Sequence, residues 1–468
     1  MVTRAPVSVV HYESIGYVWM RLHLQIRVAA VTTEPQTRKE TSNKKETRMK
    51  CRTLIFSALG VLVAASTVKA DLVTDWNSIA LQAIRVDKTP PPKASRALAI
   101  LHASIFDSVN GIRRTYTPYR VIGQVNGSAS EQAAAAAAAH AVLVSLFPAQ
   151  RTSFDAAYTA QLNALRDSPQ LRNGVTWGNF VASSILASRA SDGSTNVVAI
   201  PTLSGPGYWV PTPPALAAYL LPQWGQVAPF AITSSSQFRP TGPPALTSAK
   251  WADAYNEVKA LGAATNSTRT ADQTEIALFW ADGAGTETPP GHWNHIAQGI
   301  AAARGNTLEQ NARLFALLNL AMADAGICAW DAKYTFFNWR PVTAIRAGDT
   351  DGNEATAPDA AWSSFIVTPP FPDYCSGHST FSAAAATVLA MFYGTDNIAF
   401  TTGSDFMPGT RRSFTSFSAA AQEAADSRVY GGIHYRFASE DGLAGGLSIG
   451  QWTFTHSLQP KSNRSQFK

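Results

Sequence analysis

Three polar clusters in the apolar, alanine-rich C-terminal half decide the fold and the chemistry of this chain. They read KYTFFNWRP at residues 333–341, CSGH at residues 375–378 and SRVYGGIH at residues 427–434. Together they hold three cations, two imidazoles, a serine hydroxyl and a glycine amide. Such groups hold a multiply charged tetrahedral oxyanion away from water. The sequence therefore predicts an oxyanion site.

The cations and neutral donors of the clusters suit different parts of an anion. Arg340 and Arg428 carry planar guanidinium forks that bind two oxygens each, whereas Lys333 supplies a compact point charge. Ser376 adds a hydroxyl, and the Gly377 amide opens a predicted helix, where free N–H groups favour an anion. Each also has a structural explanation, such as a helix N-cap for Ser376. Their joint spacing favours the functional interpretation.

The two histidines suit different tasks. His378 follows a helix start, where an imidazole that titrates near neutral pH can exchange protons with a bound oxygen. His434 suits direct use of a ring nitrogen, either as a metal ligand or as a nucleophile on phosphorus. The residues alone leave these two roles of His434 open.

Helical spacing of apolar residues covers most of the remaining chain and predicts an all-α helical bundle. Two helices separated by Pro90-Pro91-Pro92 are predicted within residues 71–110. Further helices are predicted at 131–146, 153–165, 175–188, 248–261, 268–280, 307–325, 377–394, 416–428 and 442–456. No β-rich run or tandem repeat stands out. The polar clusters should therefore point into a bundle of helices.

The first 70 residues have the pattern of a leader. Residues 1–48 read as an over-extended start, and residues 49–70 as a signal peptide with a basic beginning, an apolar core and a small-residue cleavage site at Val68-Lys69-Ala70. We therefore expect an exported protein, secreted or periplasmic, that begins at Asp71.

The rest of the chain divides by composition into two regions. Residues 71–247 are an N-terminal helical region, and residues 248–468 are a helical core that carries the oxyanion site. Residues 192–247 are rich in proline, glycine and aromatic side chains, and we expect them to form an ordered wrap over the body.

The charge is concentrated in the predicted leader. Residues 1–70 have a net charge of +7 and the whole chain +6, so the part from Asp71 onward has −1. The basic balance of the whole chain therefore does not indicate a nucleic-acid partner. We also expect no membrane span after Ala70.

The cysteines leave two alternatives open. Cys51 lies in the predicted leader, whereas Cys328 and Cys375 each lie close to a polar cluster. In an oxidising compartment these two are candidates for a disulfide. Two small buried thiols are the other alternative.

The ordered pattern Lys-x6-Arg-Pro, Ser-Gly-His and Ser-Arg-x5-His resembles the signature shared by vanadium-dependent haloperoxidases and type-2 phosphatidic acid phosphatases. The resemblance implies a helical bundle that binds vanadate, with phosphate able to occupy the same site. It implies that vanadate oxygens are bound by Lys333, Arg340, Ser376, Gly377 and Arg428. It further implies that His434 is the axial vanadium ligand and His378 the acid/base residue.

Other segments are similar to the haloperoxidases in particular. Trp330 and Phe371, the latter within Pro369-Pro370-Phe371-Pro372, are similar to an aromatic pair that flanks the halide position in fungal chloroperoxidases. Asp282, within FWADG at residues 279–283, resembles an aspartate that supports the second arginine and is counted among the catalytic residues. The implied reaction oxidises a halide with hydrogen peroxide to hypohalous acid, with an organic acceptor as an optional further substrate.

Two departures from the family pattern bear on the choice of reaction. Cys375 stands where the family usually has proline, which places an oxidisable thiol beside the site. Ala438 stands where the phosphatase pattern has aspartate, so a nucleophilic His434 would need another partner, such as Glu440 or Asp441. This favours a haloperoxidase over an exported acid phosphatase with a phosphohistidine intermediate. A non-catalytic phosphate- or vanadate-binding protein is a third alternative, disfavoured because binding alone needs no histidines.

Overall fold

The computed structural model describes residues 71–461 apart from residues 124 and 126. The predicted over-extended start, the predicted signal peptide and Cys51 lie outside the described residues. Within the described part the chain forms thirteen α-helices and one two-stranded antiparallel hairpin. The all-α prediction is confirmed.

Long connections precede three of the helices, namely residues 114–130 before α3, the wrap before α6 and residues 347–376 before α11. The helices are α1 Leu72–Asp87, α2 Pro91–Arg113, α3 Glu131–Leu146, α4 Arg151–Asn163, α5 Pro169–Arg189, α6 Ala249–Leu261, α7 Ala271–Phe279, α8 Thr288–Arg304, α9 Leu308–Phe336, α10 Pro341–Arg346, α11 Gly377–Tyr393, α12 Phe417–Tyr430 and α13 Arg436–His456. The strands β1 Phe400–Gly403 and β2 Arg411–Phe414 form the hairpin between α11 and α12.

Helix α9 is the central element of the bundle. It packs against α2, which contacts α3 and α5, and against α11, which contacts α12 and α13. In the described part it is the one single helix long and apolar enough to cross a membrane, yet 94% of its apolar window is buried inside the fold. It therefore has the character of a core helix.

Helix α9 runs farther than its sequence pattern predicts. The prediction ended it at residue 325, but the helix continues to Phe336 and delivers Lys333 to the site. Gly326 follows the predicted end and weakens a helix on propensity grounds. A Cβ at Gly326 would lie 3.0 Å from the Phe381 ring of α11, so close packing there accounts for the glycine.

Close backbone contact between α11 and α13 fixes the start of α11. Three glycines of α13, four residues apart, face carbonyl oxygens of α11 and its N-cap. Added Cβ atoms would lie 2.8 Å from Ser376 O at Gly442, 2.3 Å from Thr380 O at Gly446 and 2.8 Å from Ala384 O at Gly450. Side chains at these positions would push the two helices apart. The glycines thus hold the N-cap of α11 in place.

The wrap at residues 192–247 is anchored to the body at several points. The Trp209 amide donates to the Phe337 carbonyl at 2.7 Å. Asp324 of α9 accepts the three backbone N–H groups of residues 230–232 at 2.7 to 2.8 Å. These contacts order a segment without regular secondary structure and lay it beside the end of α9.

Three elements are absent from the sequence prediction. Helix α8 begins with Thr288-Pro289-Pro290, and proline is favoured in the first turn of a helix although a proline pair also indicates a turn. Helix α10 has six residues and each strand of the hairpin has four, too few to show a period. The short length of α10 and of the two strands explains why the spacing of apolar residues did not predict them.

Candidate active site

The three polar clusters meet where several helices begin or end. Lys333 lies in the last turn of α9, Arg340 precedes α10, Ser376 caps α11, Arg428 lies in the last turn of α12, and His434 lies between α12 and α13. We call seven residues the oxyanion cradle: Lys333, Arg340, Ser376, Gly377, His378, Arg428 and His434. Six of them are buried, and His378 is partly exposed.

Arg340 is held by backbone carbonyls and faces His434. Its Nε donates to the Phe371 carbonyl at 2.8 Å, and its Nη1 donates to the Ile433 carbonyl at 2.6 Å. The same Nη1 lies 3.1 Å from Nε2 of His434. Its Nη2 is buried without a partner among the described residues. One guanidinium N–H pair is therefore available to a ligand.

Arg428 is held by its neighbour Ser427 and by the residue that follows α7. Its Nε donates to the Ser427 hydroxyl at 2.9 Å and its Nη2 to the Trp280 carbonyl at 2.7 Å. Burial lowers the pKa of Arg428 to about 10, and burial likewise lowers the pKa of Arg340 to about 10. Both guanidinium groups stay charged at neutral pH, so the cradle keeps two cations away from water.

Lys333 is engaged with the loop before α11. Its Nζ donates to the carbonyl oxygens of Pro372, Asp373 and Cys375 at 2.9, 2.8 and 2.6 Å. Burial, reinforced by Arg340, lowers the pKa of Lys333 to about 7. An ammonium group has three donors, so all of them are occupied here. The predicted contact of Lys333 with an anion oxygen would replace one of these three bonds.

The second cluster forms the first turn of α11. The Ser376 hydroxyl accepts from the Ser379 amide at 3.4 Å and the Ser379 hydroxyl at 2.9 Å, so it is an N-cap whose own proton stays free. A Cβ at Gly377 would lie 3.3 Å from the Trp330 ring. Glycine thus permits close approach of the helix start to this indole.

His378 and His434 are both neutral bases. Burial, followed by the charge of Arg428, holds the pKa of His378 well below its usual range. Burial, followed by Arg340, does the same to the pKa of His434. The Nε2 of His378 is buried and has no partner in the described structure. A neutral imidazole nitrogen without a partner can accept a proton.

The expected partner of His434 is different from the one that the structure contains. Glu440 is exposed, and Asp441 accepts a hydrogen bond from the Tyr374 hydroxyl at 2.7 Å. The carboxylate beside His434 is Asp373, whose Oδ1 lies 2.7 Å from Nδ1. The expectation of Glu440 or Asp441 is wrong because the loop before α11 already brings a buried carboxylate to the ring.

Asp282 supports Arg428 less directly than the resemblance implied. In the described structure Asp282 pairs with His292 instead, and its Oδ2 lies 3.2 Å from Nδ1 of that ring. The Trp280 carbonyl, two residues earlier, accepts the bond from Arg428. The charge of Asp282 nevertheless opposes the lowering of the Arg428 pKa by burial. Asp282 acts on Arg428 through its field and through the position of its own segment.

The predicted halide candidates lie together. The Trp330 and Phe371 rings are 4.9 Å apart at 49°, and both are largely buried. Lys333 Nζ lies 5.0 Å and Arg340 Cζ 4.9 Å from the Phe371 ring centroid. An apolar wall next to two cations suits a weakly hydrated anion.

The two cysteines of the described part are free and buried. Cys375 Sγ lies 3.8 Å from the Thr380 hydroxyl, and burial raises the pKa of its thiol. Burial also raises the pKa of the Cys328 thiol. The structure thus contains two buried thiols rather than a disulfide.

Two residues at the site were not found by sequence reasoning. Asp373 is an acidic residue in an otherwise apolar loop directly before Ser376, and this isolation was a readable signal. His292 follows a proline pair, Pro289-Pro290, and no motif marked it. Its ring stacks on Trp280 at 4.6 Å and 26°, so only the fold reveals it.

The chain is similar to known proteins in sequence and in fold. The family described as "VCPO second helical-bundle domain" matches residues 313–462. Vanadium chloroperoxidase from Curvularia inaequalis is 32% identical over 280 residues, which are 47% of this chain and 46% of that protein. The chain thus spans about half the length of this curated relative.

Solved structures match over more of the chain. A bacterial vanadium-dependent iodoperoxidase has a TM-score of 0.74 at 28% identity, covering 83% of this chain and 97% of that one. A holo-type bacterial vanadium-dependent chloroperoxidase has a TM-score of 0.63 at 18% identity, covering 79% of this chain and 92% of that one, which shows the shared fold alone. The relationship predicted from the three clusters is confirmed.

Proposed function

Because this chain is related to the vanadium haloperoxidases, we propose that it is a vanadate-dependent haloperoxidase that oxidises a halide with hydrogen peroxide to hypohalous acid. The observation that supports this most is the convergence of two buried guanidinium groups and two neutral imidazoles in one cradle. Cations alone would suffice for binding. The neutral histidines add a metal ligand and a base.

The donor set of the cradle fits vanadate. Arg340 Nη2 and His378 Nε2 are buried polar atoms without partners among the described residues, and such atoms in a native fold indicate a polar ligand. His434 Nε2 lies beside Arg340 and carries a lone pair when the ring is neutral. Arg340, Arg428, Ser376 and the Gly377 amide would hold oxygens, and His434 would hold vanadium.

The arginines and His378 have different tasks in this reaction. When bound, vanadate supplies a Lewis acid that activates peroxide. The charges of Arg340 and Arg428 stabilise negative charge that develops on oxygen in a buried site. His378 accepts a proton from hydrogen peroxide at Nε2 and returns it to the departing oxygen as water forms. The overall balance is peroxide, halide and one proton to hypohalous acid and water.

The aromatic pair would bind the halide. Trp330 and Phe371 exclude water from one side of the cradle, and Lys333 and Arg340 lie within about 5 Å of the Phe371 ring. An anion that has lost part of its hydration shell is a better nucleophile toward an activated oxygen.

The acid phosphatase alternative is not favoured, although one argument against it has changed. Ala438 lacks the carboxylate of the phosphatase pattern, but Asp373 places one 2.7 Å from His434 Nδ1. The preference for a haloperoxidase therefore depends on the relatives, which are haloperoxidases, and on the aromatic pair. It no longer depends on Ala438.

One experiment tests the proposal. The chain from Asp71 is stripped of anions and assayed for bromide and iodide oxidation by hydrogen peroxide, with and without orthovanadate, beside hydrolysis of p-nitrophenyl phosphate. We expect halide oxidation that requires vanadate and little hydrolysis. His434→Ala should abolish vanadate retention, whereas His378→Ala should keep vanadate and lose turnover. Vanadate-sensitive hydrolysis without halide oxidation would establish the phosphatase instead.

We further propose that the protein is exported by way of residues 49–70. The basic start, apolar core and small-residue site of this segment support export. N-terminal sequencing of the protein recovered outside the cytoplasm should begin at Asp71. Deletion of residues 49–70 should retain the protein inside the cell.

A further inference from the structure

We propose that Asp373 is a positioning residue for His434: its carboxylate keeps the imidazole proton on Nδ1, so that Nε2 offers its lone pair to the centre of the cradle. The inference rests on the proposed function in one respect, because vanadate is the group that Nε2 would bind. The tautomer of His434 can be measured without vanadate.

Two contacts define the tautomer of His434. Arg340 Nη1 lies 3.1 Å from Nε2, and a guanidinium group can only donate, so Nε2 must be the acceptor. In a neutral ring the proton then resides on Nδ1. Asp373 Oδ1 lies 2.7 Å from that nitrogen, and a carboxylate is an acceptor. The Arg340 contact therefore assigns the proton to Nδ1, and the Asp373 carboxylate, when ionised, lies where it can accept that proton.

The contact between Asp373 Oδ1 and His434 Nδ1 is short, but its geometry is not that of a hydrogen bond. Neither Oδ1 nor Nδ1 has another hydrogen-bond partner among the described residues. The nearest cation to Oδ1 is Arg340 Nη1, at 4.0 Å. Within the described residues, neither atom therefore has a competing hydrogen-bond partner that would keep the two apart. Coordination at Nε2 would favour the same orientation, as a carboxylate behind a metal-binding imidazole does in general.

The backbone and side chain of Asp373 are both fixed, which a positioning role requires. Its amide donates to the Asn338 carbonyl at 2.9 Å, and its Oδ2 accepts from Asn338 Nδ2 at 3.2 Å. Its carbonyl accepts from Lys333 at 2.8 Å. Asp373 and Lys333 have no exposed surface, and Asn338 has almost none. The carboxylate is thus held by the same loop that presents Ser376.

A purely structural role for Asp373 makes a different prediction from a positioning role. If the carboxylate only offsets nearby cations, its loss should alter the binding of all tetrahedral anions alike. If it orients His434, its loss should weaken vanadate, which needs the imidazole as a ligand, far more than phosphate, which the cations and amides hold. The ratio of the two affinities therefore separates the roles.

The first test measures this ratio by titrating the stripped protein with orthovanadate and, separately, with inorganic phosphate. For Asp373→Ala we expect vanadate affinity to fall about 10- to 100-fold and phosphate affinity to change little. Asp373→Asn, which keeps the shape and an acceptor, should lie between Ala and the parent and serves if Asp373→Ala fails to fold. Asp107→Asn is the control, because Asp107 is equally buried but holds the backbone of residues 119–121. It should leave both affinities unchanged.

The second test observes the imidazole itself by ¹⁵N NMR of histidine-labelled protein without vanadate. The parent should show His434 protonated at Nδ1, and Asp373→Ala should shift this ring toward protonation at Nε2. An unchanged tautomer together with an unchanged ratio of affinities would overturn the proposal. A parent that shows the tautomer but binds no vanadate would refute the proposed function while leaving the role of Asp373 intact.

Discussion

The Nζ of Lys333 donates a hydrogen bond to the Cys375 carbonyl at 2.6 Å, across 42 residues of sequence. With its bonds to the Pro372 and Asp373 carbonyls, the ammonium group closes the loop that leads into α11. Lys333 thus joins the end of α9 to the start of α11. Its loss would leave three backbone acceptors in a buried loop without their donor.

Replacement of this buried lysine should be costly for stability. Lys333→Met removes the donor while keeping the length of the side chain, and each unsatisfied buried acceptor costs about 1–3 kcal/mol. For three such acceptors we expect the free energy of unfolding to fall by about 3 kcal/mol or more, measured by urea denaturation. Lys93→Met, on the exposed face of α2, is the control and should cost almost nothing. Equal stability of the two variants would show that the hydrogen bonds of Lys333 to the loop before α11 do not stabilise the fold.

A buried histidine remote from the cradle should contribute to acid sensitivity. His102 has no exposed surface, its Nε2 lies 3.0 Å from Asn77 Oδ1, and burial lowers its pKa from 6.5 to about 3. Below pH 6.5 the unfolded chain binds a proton that the folded chain refuses. This ring therefore costs about 1.4 kcal/mol of stability per pH unit until about pH 3.

The matching variant removes this titration. Between pH 6.5 and 4.5 the parent should lose about 2 kcal/mol more than His102→Gln, whose amide can still donate to Asn77. The measurement is urea denaturation at both pH values. His456→Gln, at an exposed position in α13, should follow the parent. Parallel loss of stability in His102→Gln and the parent would show that His102 does not titrate as stated.

Adjacent glycines of α13 offer a sharp test of helix packing. A Cβ at Gly446 would lie 2.3 Å from the Thr380 carbonyl, whereas one at Gly445 would meet nothing closer than 3.5 Å. We expect Gly446→Ala to cost about 1–3 kcal/mol through overpacking. Gly445→Ala should be neutral or stabilise by up to about 1 kcal/mol, since alanine is the better helix former. Thermal unfolding of the two variants should therefore shift in opposite directions or by clearly different amounts.

His292 should matter to the cradle although it contacts no cradle residue through the bonds described above. Its ring stacks on Trp280, whose carbonyl accepts from Arg428, and pairs with Asp282. Burial alone would lower the pKa of His292, but Asp282 and Glu287 outweigh it and raise the pKa. We therefore expect the ring to hold residues 280–282 through its stacking on Trp280 and its contact with Asp282.

Neutral replacement should loosen this support. His292→Gln is expected to weaken orthovanadate affinity about 10-fold, the low end of the effect of losing an outer partner of a metal site. His295→Gln, one turn along α8 with a side chain that is 59% exposed, is the control. Vanadate titration of both variants gives the comparison. An unchanged affinity in His292→Gln would rule out transmission through Trp280.

Sequence reasoning succeeded where local chemistry determines structure. Helix α11 begins and ends where expected, because Ser376 caps its start and Gly394, with a φ of 72°, follows its end. The all-α class and the three clusters were readable for the same reason. Residue spacing along one segment is a local property.

Sequence reasoning failed where contacts between segments distant in sequence determine the structure. The continuation of α9 past Gly326 depends on Phe381, and the engagement of Lys333 depends on carbonyls about forty residues later. The pairing of His434 with Asp373 joins two loops that no pattern links. Residue types at the site were predictable from sequence, whereas their partners required the fold.

The residues of the cradle differ in their exposure to solvent. Of its seven residues, only His378 reaches solvent. A small molecule from solvent would therefore approach the cradle on the side of His378. Under the proposed function, hydrogen peroxide would first reach the ring that takes up its proton, and hypohalous acid would leave on the same side. The proposed base therefore lies on the solvent side of the cradle, and a bulkier side chain at position 378 is expected to slow the entry of substrate as well as proton transfer.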